Sequence, residues 1–260
     1  KGEPEYRISY NNENFLSWSK LGLNFVESGK LTSGMQVVEV TSRTIDETYR
    51  IYSGKSKYSR NNCNETKVSL IEKSSPNRKL DIYLRAYNDG AAFRYGIPVQ
   101  ENLSSFMIST EETYYNFSGD YKCWAMKKDR FRHSYEGEYR EYNLSNINNK
   151  PGDSTSYFPY ITLPLTMKMN DGLYISVSEA NITNYPGMHL TKQDGYTLKS
   201  KLAPDSLKKN ISVRGNTPAV SPWRLFIIGS RPGALIESNL IMNLNDPNKI
   251  PDAERWIKPG

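Results

Sequence analysis

Leu80-Asp81-Ile82-Tyr83-Leu84-Arg85-Ala86-Tyr87, followed by Asn88-Asp89-Gly90 and then Ala91-Ala92-Phe93-Arg94-Tyr95-Gly96-Ile97-Pro98, is the stretch whose reading decides the fold. Leu80, Ile82, Leu84 and Ala86 alternate with Asp81, Tyr83, Arg85 and Tyr87. Period two is the spacing at which strand side chains share a face. Asn88-Asp89-Gly90 reads as a hairpin turn, because Asp and Gly tolerate positive φ. The return strand carries Phe93, Tyr95 and Ile97 in one phase and stops at Pro98.

The same grammar recurs downstream. Ile161, Leu163, Leu165, Met167 and Met169 share a phase, Asn170-Asp171-Gly172 turns the chain, and Leu173, Ile175 and Val177 share a phase on the way back. Pro164, inside the outgoing run, predicts an edge strand or a bulge. Further strands are expected over 36–43, 47–52, 66–72, 105–110, 196–202, 211–214 and 223–228. Helical signals reduce to one short segment, 232–240. Many short strands with almost no helix predict an all-β sandwich of antiparallel sheets, with too many strands for an immunoglobulin-sized one.

Composition narrows the class. The chain has 260 residues, 24% charged and 37% hydrophobic, with 19 Tyr, 4 Trp and 8 Phe. That aromatic area argues against a disordered chain, and no apolar run approaches a membrane span of about 18 residues. A net charge of +6 raises nucleic acid as a partner. However, the basic residues are scattered, and the densest patch, Lys127 to His133, is followed by Glu136, Glu138 and Glu141. No nucleic-acid partner is expected. Two cysteines, Cys63 and Cys123, allow one bridge or two free thiols. His133 and His189 stand far apart in sequence, which makes a paired-histidine site improbable.

Residues 127–156 are polar and aromatic, and predict a long surface excursion packing on a neighbour. Residues 4–15 look like half of a strand pair. Arg255-Trp256-Ile257-Lys258-Pro259-Gly260 looks like a linker, giving a domain over 1–250 and a linker from 251.

Glu179 is the most informative single residue. It continues the phase of Leu173, Ile175 and Val177, so it shares a face with apolar side chains. A carboxylate there costs several kcal/mol unless paired, hydrogen-bonded or metal-bound. The residues alone favour a strand-end acid that reaches water. Arg85 and Arg94 are expected to pair with acids on the solvent face, and Arg224 to anchor an ion pair or neighbour a sugar. No Gly-Lys-Ser loop, Gly-x-Ser-x-Gly or His-Glu-x-x-His is present, and no self-contained nucleophile–base pair.

Three segments together resemble a known family. They are Leu84–Tyr95, Tyr174–Met188, and Ser221-Pro222-Trp223-Arg224 running on to Leu235–Leu240 and Asn243-Leu244-Asn245. With Trp256-Ile257-Lys258-Pro259-Gly260 and Ser17-Lys20-Leu21-Gly22-Leu23, they resemble the N-terminal domain of glycoside hydrolase family 97, which includes bacterial α-glucosidases and α-galactosidases. The resemblance implies a β-supersandwich of the galactose-mutarotase type, followed by a catalytic (β/α)8 barrel. It implies an oligosaccharide substrate, catalytic residues in the barrel and none in this chain, and a periplasmic or exported location in a Gram-negative bacterium. It assigns Glu179 as a ligand to a calcium ion held mainly by the barrel, and places Asn184 and Tyr185 near the sugar. A Glu179 side chain pointing away from the docking surface, locked in an internal ion pair, would undo that metal role. The rival readings are a free-standing carbohydrate-binding sandwich and, less well supported with two histidines, a sugar epimerase.

Overall fold

The computed structural model describes residues 2–52, 54–147, 158–169 and 172–256, with the side chains of residues 253 and 254 left out. All strand pairs are antiparallel. The largest sheet has ten strands. Its path runs Arg140–Asn143, Lys122–Ala125, Leu165–Lys168, Tyr174–Ala180, Trp223–Gly229, Gly90–Ile97, Lys79–Tyr87, Tyr58–Glu72 and Met35–Arg50, with Ala219–Val220 also pairing to Gly90–Ile97. A five-stranded, a four-stranded and a two-stranded sheet complete the all-β fold. The apolar phases meet between the sheets, where Phe93, Phe226, Tyr115 and Phe15 are all but fully buried.

The strand Trp223–Gly229 is buried at every position. Its two faces serve two cores. Phe226 and Ile228 join the main core, while Trp223, Leu225 and Ile227 pack outward against Leu240 and Leu244 of the short helices. Those helices are Pro232–Glu237 and Leu240–Asn243, where the sequence predicted one.

Several expectations change. The hairpin at Asn88-Asp89 forms, with Tyr87 opposite Gly90. Gly90 is needed for a different reason from the predicted one. Its φ is not positive, but a Cβ there would stand 2.2 Å from the Phe226 carbonyl oxygen. Pro164 marks neither an edge nor a bulge. The run 161–169 is two strands, Tyr160–Ile161 in the five-stranded sheet and Leu165–Lys168 inside the ten-stranded one, and Pro164 sits where the chain changes sheet. Glu5–Tyr10 has its partner present, Glu13–Lys20. The strands expected over 36–43 and 47–52 are one, Met35–Arg50. Within the predicted excursion, Arg140–Asn143 is an edge strand paired to Lys122–Ala125. Residues 148–157, like the turn residues Asn170 and Asp171, lie outside the described residues. Cys63 and Cys123 are both free and buried.

Candidate functional site

Arg224 organises the site. Cross-strand register places it opposite Glu179 on Tyr174–Ala180, so the two share a face. Glu111 comes to the same point from the end of Ser105–Glu111. The Arg224 fork grips Glu111 through Nε to Oε2 at 3.1 Å and Nη2 to Oε1 at 2.5 Å. Its Nη1 donates to Glu179 Oε2 at 2.6 Å. The side chains of Arg224 and Glu111 are fully buried, and that of Glu179 is 10% exposed. Glu179 Oε1 accepts the Met188 N–H at 3.0 Å.

Glu179 therefore does not simply reach water, as the sequence alone suggested. Burial raises its pKa, and the Arg224 charge beside it lowers it only in part. Desolvation also acts against the Arg224 charge, but Glu111 and Glu179 outweigh it and hold the guanidinium protonated. Of the two roles open to Arg224, ion-pair anchor is the one observed. Glu179 is thus held in place at both oxygens, one shared with Arg224 and the other with the Met188 N–H.

Asn184 and Tyr185 lie in the loop that follows Glu179. Asn184 is exposed with φ 53°, a conformation Asn tolerates. The Tyr185 ring lies under the Arg224 guanidinium, 5.8 Å away, and its buried hydroxyl has no hydrogen-bond partner among the described residues. Burial, followed by the Glu111 charge, raises the Tyr185 pKa. Both residues line a cavity of about 660 Å³ together with Tyr95, Phe106 and Asp246; Glu179 is not among its lining residues. The structure thus joins Tyr185 to the Glu179 cluster through Arg224 and sets Asn184 at the cavity wall.

Glu111 was missed in the sequence. The available signal was Arg224, a lone charge in the apolar run Trp223–Gly229, which demands a buried partner. The two histidines, far apart in sequence, do meet in the fold. His133 and His189, 56 residues apart, meet with their Nε2 atoms 3.0 Å apart. The Tyr135 N–H donates to His133 Nδ1 at 3.1 Å, so the His133 proton sits on Nε2 and is given to His189 Nε2. The His189 proton is then on Nδ1, which is buried without a partner.

The pair is built for the neutral state, because a further proton on either ring meets a donor. Burial and then His133 lower the His189 pKa to about 4, and burial and then Lys128 lower that of His133. A depressed folded pKa gives stability that is present above the unfolded value near 6.5 and lost as pH falls toward 4. We expect the chain to lose about 2 kcal/mol more than its His189→Phe variant between pH 7 and pH 4.5, a figure already reduced for solvent screening. Urea melts at the two pH values measure it; parallel losses in the two proteins would exclude the pair as the source.

Comparison with known proteins places this geometry. The chain matches the family described as Glycosyl-hydrolase 97 N-terminal over residues 1–247. It is 26% identical over 206 residues to a retaining alpha-galactosidase of Bacteroides thetaiotaomicron, covering 69% of this chain and 29% of that protein. It is 22% identical over 261 residues to a probable retaining alpha-galactosidase of Streptomyces bingchenggensis, covering 98% of this chain and 36% of that protein. A solved family 97 glycoside hydrolase of Pseudoalteromonas sp. strain K8 superposes with a TM-score of 0.89 at 25% identity, over 100% of this chain and 37% of that one. Structures of that enzyme in complex with panose and with acarbose superpose equally well, at a TM-score of 0.88. The chain spans well under half the length of each of these relatives. The match over residues 1–247 makes the chain a member of the glycosyl hydrolase 97 N-terminal domain family.

Proposed function

We propose that this chain is the non-catalytic first domain of an exo-acting α-glycoside hydrolase of the α-glucosidase or α-galactosidase type. In this reading it caps a catalytic (β/α)8 barrel and lends Glu179 to a calcium ion shared with that barrel. The substrate is an oligosaccharide, and the enzyme works in the periplasm or outside a Gram-negative cell. The named relatives support the glycosidase part.

One observation carries the cation part. Two carboxylates, Glu111 and Glu179, share one guanidinium, so the buried cluster holds a net charge of −1 when all three are ionised. Glu179 is its only partly exposed member, so an incoming cation would offset that charge through Glu179.

The donors on this chain fit calcium as a minority share of a cage. Calcium takes six to eight oxygens, and no group of three or more His, Cys, Asp or Glu among the described residues could hold a metal. Each Glu179 oxygen has one hydrogen-bond partner, and a carboxylate oxygen offers two lone-pair sites. Each keeps one site for a metal. When bound, calcium supplies Lewis-acid polarisation of a sugar or water oxygen. The residues of this chain do the positioning. Glu111 fixes Arg224, Arg224 and the Met188 N–H fix the Glu179 carboxylate plane, and at the cavity wall Asn184 offers its amide and Tyr185 its ring to the sugar.

In the complete enzyme, Glu179→Gln is expected to lower kcat/KM by at least about 100-fold, and to abolish the rise in Tm produced by calcium. The Tm without calcium should fall modestly, since Gln keeps an acceptor for Arg224 but turns its NH2 toward the Met188 N–H. Unchanged turnover, or an unchanged calcium response, would reject the role. The 260-residue chain alone should be inactive and bind calcium only weakly.

A further inference from the structure

Arg94 is the one described arginine that is largely buried and has neither a hydrogen bond nor an ion pair among the described residues. Its Nε is buried and has no acceptor. Sequence pattern predicted a surface ion pair for it and for Arg85. Arg85 has one, at 2.7 Å to Glu65, which also takes Arg43. Arg94 instead lies against ring faces, 4.3 Å from Trp223 and 5.3 Å from Tyr83. Arg85 sits over the same Trp223 ring at 4.6 Å, so two guanidinium groups crowd one indole. Ring faces offset only part of the cost of a desolvated cation, and the neighbouring like charge adds to it.

The two arginines open onto a cavity of about 640 Å³, within the size range of small-molecule sites. Tyr49, Tyr52, Asn245 and Asn248 are among its lining residues. The Asn245 amide is already bonded at both ends and that of Asn248 at its oxygen, which leaves the Asn248 Nδ2 donors unused among the described residues. An arginine fork matches the geometry of a carboxylate. Aromatic faces and side-chain amides match the ring face and hydroxyls of a sugar. Glu47 and Asp246 also line the cavity. Glu47 accepts from Asn61, Glu65 is taken by Arg43 and Arg85, and although Glu65 and Asp246 bear on Arg94 electrostatically, none of the three forms an ion pair with it. The acid needed to balance Arg94 is therefore missing from the protein side.

We propose that this cavity binds a carboxylate carried on a sugar ring, a hexuronate in its simplest form, with Arg94 as the recognising side chain. The site is distinct from the Glu179 cluster. Trp223 and Arg224 are adjacent on one strand and project to opposite faces of the sheet, so the two sites lie on opposite sides. The proposal stands or falls independently of the calcium reading.

The test is a titration of the ¹⁵N-labelled 260-residue chain at pH 7 and constant ionic strength, followed at the arginine Nε–H signals. The Arg94 signal is assigned by its loss in Arg94→Lys. Galacturonate or glucuronate is expected to move it saturably, and galactose at the same concentration to leave it in place. Acetate should bind at least tenfold more weakly than the uronate. Arg94→Lys, which keeps the charge but loses the fork, and Arg94→Gln should each weaken uronate binding at least tenfold. Both should melt no lower than the parent, because the group they remove is unpaired. Four results would overturn the proposal: no saturable shift with a uronate, an equal shift with galactose, acetate as tight as the uronate, or unaltered uronate affinity in Arg94→Gln.

Discussion

Replacing Arg224 by Met is expected to destabilise the chain by about 3–5 kcal/mol, the range for breaking a buried ion pair from one side. For a chain of this size that is a fall in Tm of roughly 10 °C. The cause is what the change leaves behind. Glu111, fully buried, and Glu179, nearly so, would face each other with no cation between them. Glu179, whose pKa burial already raises, would hold its proton to still higher pH once the Arg224 charge that lowers it is gone. An acid whose folded pKa is raised costs stability as pH rises above its unfolded value near 4.5. The variant should therefore melt close to the parent near pH 4 and fall progressively behind it toward pH 8. Replacing Glu111 and Glu179 by Leu in the same background should recover most of the loss, because a well-packed apolar triad has no charge to desolvate. A deficit of the same size at pH 4 and pH 8 would mean that packing, not charge, is what Arg224 supplies.

The second large effect is expected at Gly90. An alanine Cβ there would stand 2.2 Å from the Phe226 carbonyl oxygen and 2.6 Å from Leu240 Cδ2. Leu240 can yield, but the Phe226 carbonyl belongs to a strand buried on both faces and cannot move alone. Gly90→Ala should cost about 3 kcal/mol, the upper end for inserting one methyl group into a packed site. Gly195→Ala is the control. Gly195 has φ 58° and nothing within 4 Å of its ideal Cβ, so only backbone strain of about 1 kcal/mol is expected. Urea unfolding of the two variants separates them, and equal losses would show that the close approach at Gly90 relaxes freely.

These two positions show where sequence reading succeeds and where it stops. The alternation from Leu80 to Ile97 gives the strands, and Asn88-Asp89 gives the turn, because both are local properties of the chain. That Gly90 is required by a carbonyl 136 residues away is not local. The same limit explains Pro164, which looks like a defect in one strand until its two halves are seen in different sheets. It also explains His133 and His189, whose separation in sequence says nothing about a sandwich that folds one strand over another. Glu179 was singled out correctly as an acid on an apolar face, because strand periodicity alone puts it there. Its partners came from strands that periodicity cannot order: Arg224 was noted without an assigned acid, and Glu111 was passed over.

The placement of the two thiols has its own consequence. Cys123 and Cys63 lie on strands six steps apart in the ten-stranded sheet, about 29 Å at the usual strand spacing, far beyond the span of a disulfide. Burial also raises the pKa of Cys123 to about 12 and raises that of Cys63, which keeps both as unreactive thiols. Folding thus makes no demand on an oxidising or a reducing environment, and the same native state is available before and after any passage across a cell envelope.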